Sequence, residues 1–142
     1  MADYKDSLIW KKAFELAVEV SNVTKKQARA EKMDERVTLQ HAYNLDAESI
    51  VSNIAAAEGR KAMRHEYLRF LSNAQSALFR LESRILLDVE RNYQKQEDAA
   101  TALKLCGELK ELLNAEIEPL AAEERTARLN RHSRPQDARA DD

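Results

Sequence analysis

Apolar residues in the middle of this chain recur at alternating spacings of four and three positions. The clearest run lies within residues 62–92 and comprises Tyr67, Leu71, Ala74, Leu78, Leu81, Ile85 and Val89. This spacing follows the 3.6-residue turn of an α-helix and puts these side chains on one face. The pattern therefore predicts a long amphipathic helix over residues 62–92.

A similar pattern near the start of the chain predicts a first helix over residues 7–28. Its inward positions recur every three or four residues: Ile9, Ala13, Leu16, Val20 and Val23. Trp10 and Phe14 widen that apolar face. We expect Asp6 or Ser7 to cap this helix, because a short oxygen side chain accepts hydrogen bonds from the free N–H groups of a first turn.

Two more helices are predicted, over residues 37–57 and 97–118. Their inward positions are Leu39, Ala42, Tyr43, Ile50, Ile54 and Ala57 in the first, and Ala99, Leu103, Cys106, Leu109, Leu113 and Ile117 in the second. The charged segment 29–36 predicts a loop or a frayed turn. Gly59 is expected to stop one helix by adopting a left-handed conformation, and Pro119 to end or kink the other.

Composition favours a few long helices over a sheet. The chain has 142 residues, of which 44% are hydrophobic and 34% charged, but it has only two Gly and two Pro. Four helices with short connections predict an all-α, antiparallel up-down four-helix bundle over residues 1–122. Residues 123–142 hold five acids and five arginines but only Leu129 as a large apolar residue, which predicts a disordered charged tail.

Charge and cysteine content restrict the function classes. The net charge is -2 and the isoelectric point is about 6.0, which argues against a general nucleic-acid binder but leaves room for a local basic patch. The one cysteine, Cys106, excludes an internal disulfide and fits a cytoplasmic protein. There is no apolar leader and no run of 18 apolar residues, so we expect neither a secretory signal nor a membrane span.

The sequence contains no motif of a known catalytic or metal site. The residues three positions before His41, His65 and His132 are not carboxylates, so the Glu-x-x-His motif of di-iron bundles is absent. Paired Cys and His residues at zinc spacing and a Gly-rich phosphate loop are absent too. Cys106 lies on an inward stripe, which favours a small core residue over a nucleophile. We therefore expect no catalytic residues, no metal and no cofactor.

The third predicted helix carries a second apolar stripe beside its core face. Leu68, Phe79 and Leu86 form this stripe, about 100° around the helix from the first. Two explanations remain open at this point. The stripe either belongs to a wide core contact with helices on both sides, or it forms an interface between subunits.

The same helix also carries an arginine ridge, which we define as Arg69, Arg80, Arg84 and Arg91. These residues fall within about 60° of one another on the helical wheel. Additional charge stands at the N-terminal end of the helix, on Arg60, Lys61, Arg64 and His65. The ridge could hold phosphates through charge-assisted hydrogen bonds. Alternatively, it is a solvated face with ion pairs to neighbouring glutamates.

Several short motifs occur in a fixed order along the chain. Residues 7–16 read Ser-Leu-Ile-Trp-Lys-Lys-Ala-Phe-Glu-Leu and residues 49–55 read Ser-Ile-Val-Ser-Asn-Ile-Ala. Gly-Arg-Lys follows at 59–61, Glu-Tyr-Leu-Arg-Phe-Leu at 66–71, and Ser-Ala-Leu-Phe-Arg-Leu-Glu at 76–82. In this order the chain resembles the 23S rRNA intervening-sequence protein family of bacterial four-helix bundle proteins.

The resemblance implies an assembly and a set of partners. These bundles form homopentameric barrels, which favours the interface explanation for Leu68, Phe79 and Leu86. Related accessory proteins of diversity-generating retroelements bind a reverse transcriptase and nucleic acid, so RNA, DNA or such an enzyme is an implied partner. The chain departs from the family where Asn44 and Leu45 stand at positions usually held by two arginines.

Two hypotheses on function follow. The first is a non-catalytic accessory or scaffold protein of a nucleoprotein complex, which contacts RNA or DNA through the arginine ridge and the neighbouring Arg60, Lys61 and Arg64. The second is an oligomeric protein–protein interaction module without a nucleic-acid role. Both predict self-association.

Overall fold

The computed structural model describes residues 3–31 and 34–133, and the side chains of residues 3–25 and 40–133. A short 3-10 helix, Tyr4–Asp6, precedes four α-helices. These are α1 (Leu8–Glu31), α2 (Asp34–Glu58), α3 (Arg64–Glu90) and α4 (Gln96–Ser133). The described residues contain no strand, so the predicted all-α class is confirmed.

The four helices form a bundle with a square arrangement. Each of α1 and α3 packs against both α2 and α4, and the diagonal pairs do not touch within the described residues. Neighbouring helices are antiparallel: Gln75 and Glu82 of α3 bond to Asn114 and Lys110 of α4, respectively. The predicted four-helix bundle is therefore present.

The core is built by the stripes that the sequence pattern identified. On α3, six of the seven predicted stripe positions are buried and Val89 is partly buried. Cys106 is buried on α4, as predicted. Among the helices that the structure describes, none has both the length and the apolar character needed to cross a lipid bilayer.

Ser7 caps α1; it is one of the two capping residues, Asp6 and Ser7, that the sequence predicted. Its hydroxyl oxygen accepts a hydrogen bond from the Trp10 backbone N–H at 3.2 Å. The same hydroxyl donates to Glu58 at 3.0 Å, which ties the start of α1 to the end of α2.

The turn after α3 uses Asn92 where a glycine is more usual. Asn92 has φ 64, in the left-handed region, and its N–H donates to the Val89 carbonyl while the Tyr93 N–H donates to the Asp88 carbonyl. This is the Schellman pattern of helix ends. Gly59 does follow the last residue of α2, but the left-handed conformation expected of it is absent.

The helices extend further than predicted at two places. The predicted loop over 29–36 is shorter, because α1 continues to Glu31 and α2 starts at Asp34; residues 32–33 lie outside the described residues. Arg and Glu make up half of this segment and are strong helix formers even without an apolar stripe. Local propensity therefore outweighs the weak patterning.

The largest difference from the sequence prediction is at the end of α4. The helix continues through Pro119 to Ser133, so residues 123–133 of the predicted disordered tail are helical, and residues 134–142 lie outside the described residues. An ion pair between Glu123 and Arg64, and a contact of 3.2 Å between Glu124 Oε1 and His65 Nδ1, hold the continuation against α3. Glu, Arg, Ala and Leu make up seven of residues 123–133 and supply the helix propensity.

Candidate nucleic-acid interface

The middle of the arginine ridge is anchored by one carboxylate of α2. Asp46 accepts from Arg80 Nε at 3.4 Å and from Arg84 Nε at 3.0 Å, and its side chain is only 10% exposed. Both arginine side chains remain about half exposed. Asp46 therefore cancels one of the two positive charges and orders both guanidinium groups, while their outer N–H groups still face solvent.

The N-terminal end of the ridge is organised around Phe70 and Glu66. The guanidinium carbons of Arg60 and Arg69 each lie 5.0 Å from the centre of the Phe70 ring. Glu66 pairs with both, at 3.1 Å to Arg60 Nε and 3.7 Å to Arg69 Nη2. Cation–π contacts and one shared carboxylate thus hold these two arginines side by side.

The remaining predicted contacts differ in their partners. Lys61 Nζ lies 3.8 Å from Glu58, and Arg64 pairs with Glu123. Arg91, at the C-terminal end of the ridge, forms no ion pair with any described side chain. The predicted cationic residues share one side of α3 and its N-terminal end, but most of them pair with a carboxylate of the same chain.

The second apolar stripe of α3 lies on the side of the helix that faces α4, yet it is only partly covered. Glu82 and Gln75 mark that side by their bonds to α4. Leu68 is partly buried, but Phe79 is 44% exposed and Leu86 is 52% exposed. Within one chain, Leu68 packs against the core, whereas Phe79 and Leu86 remain largely uncovered.

A second exposed apolar surface lies on α1, where the sequence analysis assigned Phe14 to the core face. Phe14 is instead 50% exposed and Val18 is 46% exposed. Phe14 stacks on Trp10 at 5.0 Å between ring centres, and Tyr4 contacts Trp10 edge-on at 5.4 Å. Rotation by about 100° per residue puts Phe14 more than a quarter-turn from the buried Leu16, a signal available from the sequence.

The two exposed apolar surfaces lie on opposite sides of the bundle. Lys12 of α1 bonds to Glu108 of α4 at 2.9 Å, which fixes the α4-facing side of α1. By helical rotation Phe14 and Val18 turn away from that side, and Val18 points directly outward from the core face of α1. The Phe79 stripe sits along the outer edge between α3 and α4. In a square bundle, the α1–α2 side and the α3–α4 side face in opposite directions.

Hydrogen bonds between polar side chains couple the helices. Sequence patterning placed Tyr43 and Tyr67 on inward faces but did not show their partners. Tyr43 of α2 donates a hydrogen bond to Asp88 of α3, and Tyr67 donates to Glu116 of α4 at 2.7 Å. Burial, reinforced by these carboxylates, raises the pKa of both tyrosines above the usual range. Both phenols are therefore protonated donors at neutral pH.

Cys106 has the environment of a core residue. Burial, with a smaller contribution from Glu82, raises the pKa of its thiol to about 12, so little thiolate forms at neutral pH. An open cleft of about 600 Å³ lies where the helix ends meet and is lined by Asp3, Asp6 and Glu58, among others. Among the described side chains, no group of three His, Cys, Asp or Glu residues converges as a metal site would require.

Comparison with known sequences assigns the family. Residues 5–115 match the profile of the 23S rRNA-intervening sequence proteins. The chain belongs to this family. The match spans most of the bundle, including the arginine ridge and both exposed apolar surfaces, and it ends before the last part of α4.

A solved structure has the same fold. It is the crystal structure of a protein with unknown function from the S23 ribosomal protein family of Bacteroides thetaiotaomicron. The two chains superpose with a TM-score of 0.69 at 22% identity, over 78% of this chain and 98% of the other. No curated protein matches this chain significantly.

Proposed function

We propose that this protein is a non-catalytic scaffold that assembles with copies of itself through its two exposed apolar surfaces. The observation that carries the proposal is their placement: Phe14 and Val18 on one side, Phe79 and Leu86 on the other. Large exposed apolar residues grouped on one surface are typical of protein–protein contacts. Two such surfaces on opposite sides allow each copy to contact two neighbours.

The proposed contact is heterologous, meaning that the Phe14 surface of one copy packs on the Phe79 surface of the next. Such contacts close into a ring or continue as a filament, depending on the angle between copies. The family resemblance favours a closed ring of five. A cytoplasmic location is part of the same proposal, since a single buried thiol needs no oxidising compartment.

Charge substitutions on each surface test the proposal. Phe14→Glu and Phe79→Glu each remove one half of the contact, so each variant alone is expected to be a monomer by light scattering. An equimolar mixture retains one intact pair of surfaces, Phe79 of the first variant and Phe14 of the second. It is therefore expected to give a heterodimer.

Other outcomes separate the alternatives. Asn73→Glu, an exposed polar position of α3, is the matched control and should leave the assembly unchanged. If Phe79→Glu alone dissociates the protein while Phe14→Glu does not, the contact is symmetric and the heterologous arrangement is wrong. A monomeric wild-type protein would overturn self-assembly altogether.

We infer a second role in nucleic-acid binding, which the arginine ridge supports. Guanidinium groups held in place by Asp46, Glu66 and Phe70 lose little conformational entropy when they bind phosphate. The implied partners are RNA, DNA or a nucleic-acid enzyme such as a reverse transcriptase. The alternative is a protein–protein module alone, which the apolar surfaces support equally well.

Binding of labelled single-stranded RNA at low salt tests this second role. Arg69 and Arg91 are the best positions for Arg→Glu substitution, because neither contacts the buried Asp46. Loss of binding on this double substitution, without loss with Arg125→Glu as the control, supports the ridge. Absence of wild-type binding at low salt would leave the protein–protein module as the function.

A further inference from the structure

The part of α4 beyond Pro119 forms a cationic extension, which we define as residues 120–133. It lies outside the residues that match the family profile. The extension is fixed against the start of α3, where Glu124 Oε1 lies 3.2 Å from His65 Nδ1 and Glu123 pairs with Arg64. The extension therefore has a defined position relative to the start of α3.

A cleft of about 530 Å³ opens between the extension and α3. It is lined by His65, Glu124, Arg128, Arg131 and His132. On α4, positions 124, 128 and 131 share one helical face by their spacing of four and three. Two guanidinium groups and one carboxylate give this cleft a positive charge even with both imidazoles neutral.

The arginines of this cleft differ from those of the ridge in their partners. Arg80 and Arg84 are paired with Asp46, and Arg60 and Arg69 with Glu66. By contrast, neither Arg128 nor Arg131 pairs with any described carboxylate; Arg131 Nε donates only to the Ala127 carbonyl, at 3.4 Å. Their charge and most of their donors are thus available to an anion.

The chemistry of the cleft suits a phosphate group. Guanidinium groups bind phosphate oxygens through paired N–H donors, and imidazole N–H groups add single hydrogen bonds. His65 Nδ1 faces the Glu124 carboxylate at 3.2 Å, so only Nε2 of that ring is left to face a phosphate. The surrounding surface is open, which admits a phosphate that is part of a chain.

We propose that Arg128, Arg131, His65 and His132 form a phosphate-binding site for the backbone of a single-stranded nucleic acid. This inference rests on the proposed nucleic-acid role. It adds a second contact point beside the arginine ridge, in a part of this protein outside the residues that match the family profile. Because phosphate contacts carry no base information, the site contributes affinity without sequence preference.

The experiment measures binding of fluorescein-labelled oligouridylate to the full chain by anisotropy over a range of salt concentrations. Arg128→Glu with Arg131→Glu is compared with the control Arg125→Glu, which changes charge on the same extension away from the cleft. We expect at least a tenfold loss of affinity for the double variant and little for the control. The slope of log affinity against log salt should fall by about 0.7 for each phosphate that the variant no longer neutralises.

A second double variant, Arg128→Gln with Arg131→Gln, controls for effects on the helix, since Glu at 128 would stand one turn from Glu124. If wild-type protein binds the RNA and both double variants bind equally well, the cleft is not the site, while the ridge proposal stands. If the wild type binds no RNA but inorganic phosphate shifts the His65 and His132 NMR signals, the cleft holds free phosphate and the nucleic-acid assignment is wrong.

Discussion

Tyr43 on α2 donates its hydroxyl hydrogen bond to the carboxylate of Asp88 on α3, and both side chains are buried inside the bundle. Because both groups are shielded from water, the phenol supplies the donor for the carboxylate, and the carboxylate supplies the acceptor for the phenol. The contact also joins α2, which carries Asp46, to α3, which carries the arginine ridge.

Removing one member of this pair should destabilise the fold. Tyr43→Phe leaves the Asp88 carboxylate without its donor, and we expect the free energy of unfolding in urea to drop by about 1–3 kcal/mol. Asp88→Asn and the double variant complete a mutant cycle. Changes that add up to within about 0.5 kcal/mol would show that the two residues are not coupled.

Alkaline pH should destabilise the protein through its two buried tyrosines. The folded-state pKa of Tyr43 and Tyr67 is raised, first by burial and then by Asp88 and Glu116. Above the unfolded value of 10.0, the unfolded state loses these protons and the folded state keeps them, so stability falls as pH rises. The slope is up to about 1.4 kcal/mol per pH unit for each tyrosine.

Urea midpoints at about pH 9 and about pH 11 measure this loss of stability. The double variant Tyr43→Phe and Tyr67→Phe is the control, since it retains every lysine that titrates in the same range. Its pH dependence should be clearly flatter than that of the wild type. An equal loss in both proteins would attribute the effect to lysines.

Cys106 should resist thiol reagents in the folded state. Its thiol is buried, and burial raises its pKa to about 12. Reagents therefore reach the sulfur poorly, and little of it is thiolate at neutral pH. We expect modification by iodoacetamide to be slow without denaturant and fast in urea. Rapid modification of folded protein, with unchanged circular dichroism, would contradict the core assignment.

Asp46→Asn should strengthen nucleic-acid binding if the ridge is the contact. The change removes the negative charge beside Arg80 and Arg84 while an amide oxygen can still accept one hydrogen bond. Tighter binding of single-stranded RNA and a steeper salt dependence are expected. Glu48→Gln, an exposed change of equal charge on the same helix, is the control; equal tightening would indicate net charge rather than the ridge.

Much of the fold is predictable because it depends on local periodicity. The spacing from Tyr67 to Val89 identifies the core face of α3, and the capping chemistry of Asp6 or Ser7 marks the start of α1. The exposed stripe of Phe79 and Leu86 follows from the same helical wheel. Each of these features is set by residues close together in sequence.

The side-chain contacts between helices are not predictable in this way, because they depend on how the helices are rotated against one another. Nothing local to Asp46 shows that it faces Arg80 and Arg84, and nothing local to Tyr43 shows that it meets Asp88. The helical extension of α4 escapes prediction for another reason. Low apolar content predicts disorder, although Glu123 and Glu124 find partners on α3, Arg64 and His65, that lie far away in the sequence.

The antiparallel order of the helices brings the start of α1 and the extension of α4 to the same end of the molecule. Copies related by rotation about one axis would therefore repeat the cleft of Arg128 and Arg131 around a single rim. Once one cleft holds a phosphate chain, the neighbouring clefts meet the same chain at a high effective concentration. The assembly would then bind a long polyanion much more tightly than one copy does. The affinity for a single phosphate would be the same in the assembly as in one copy.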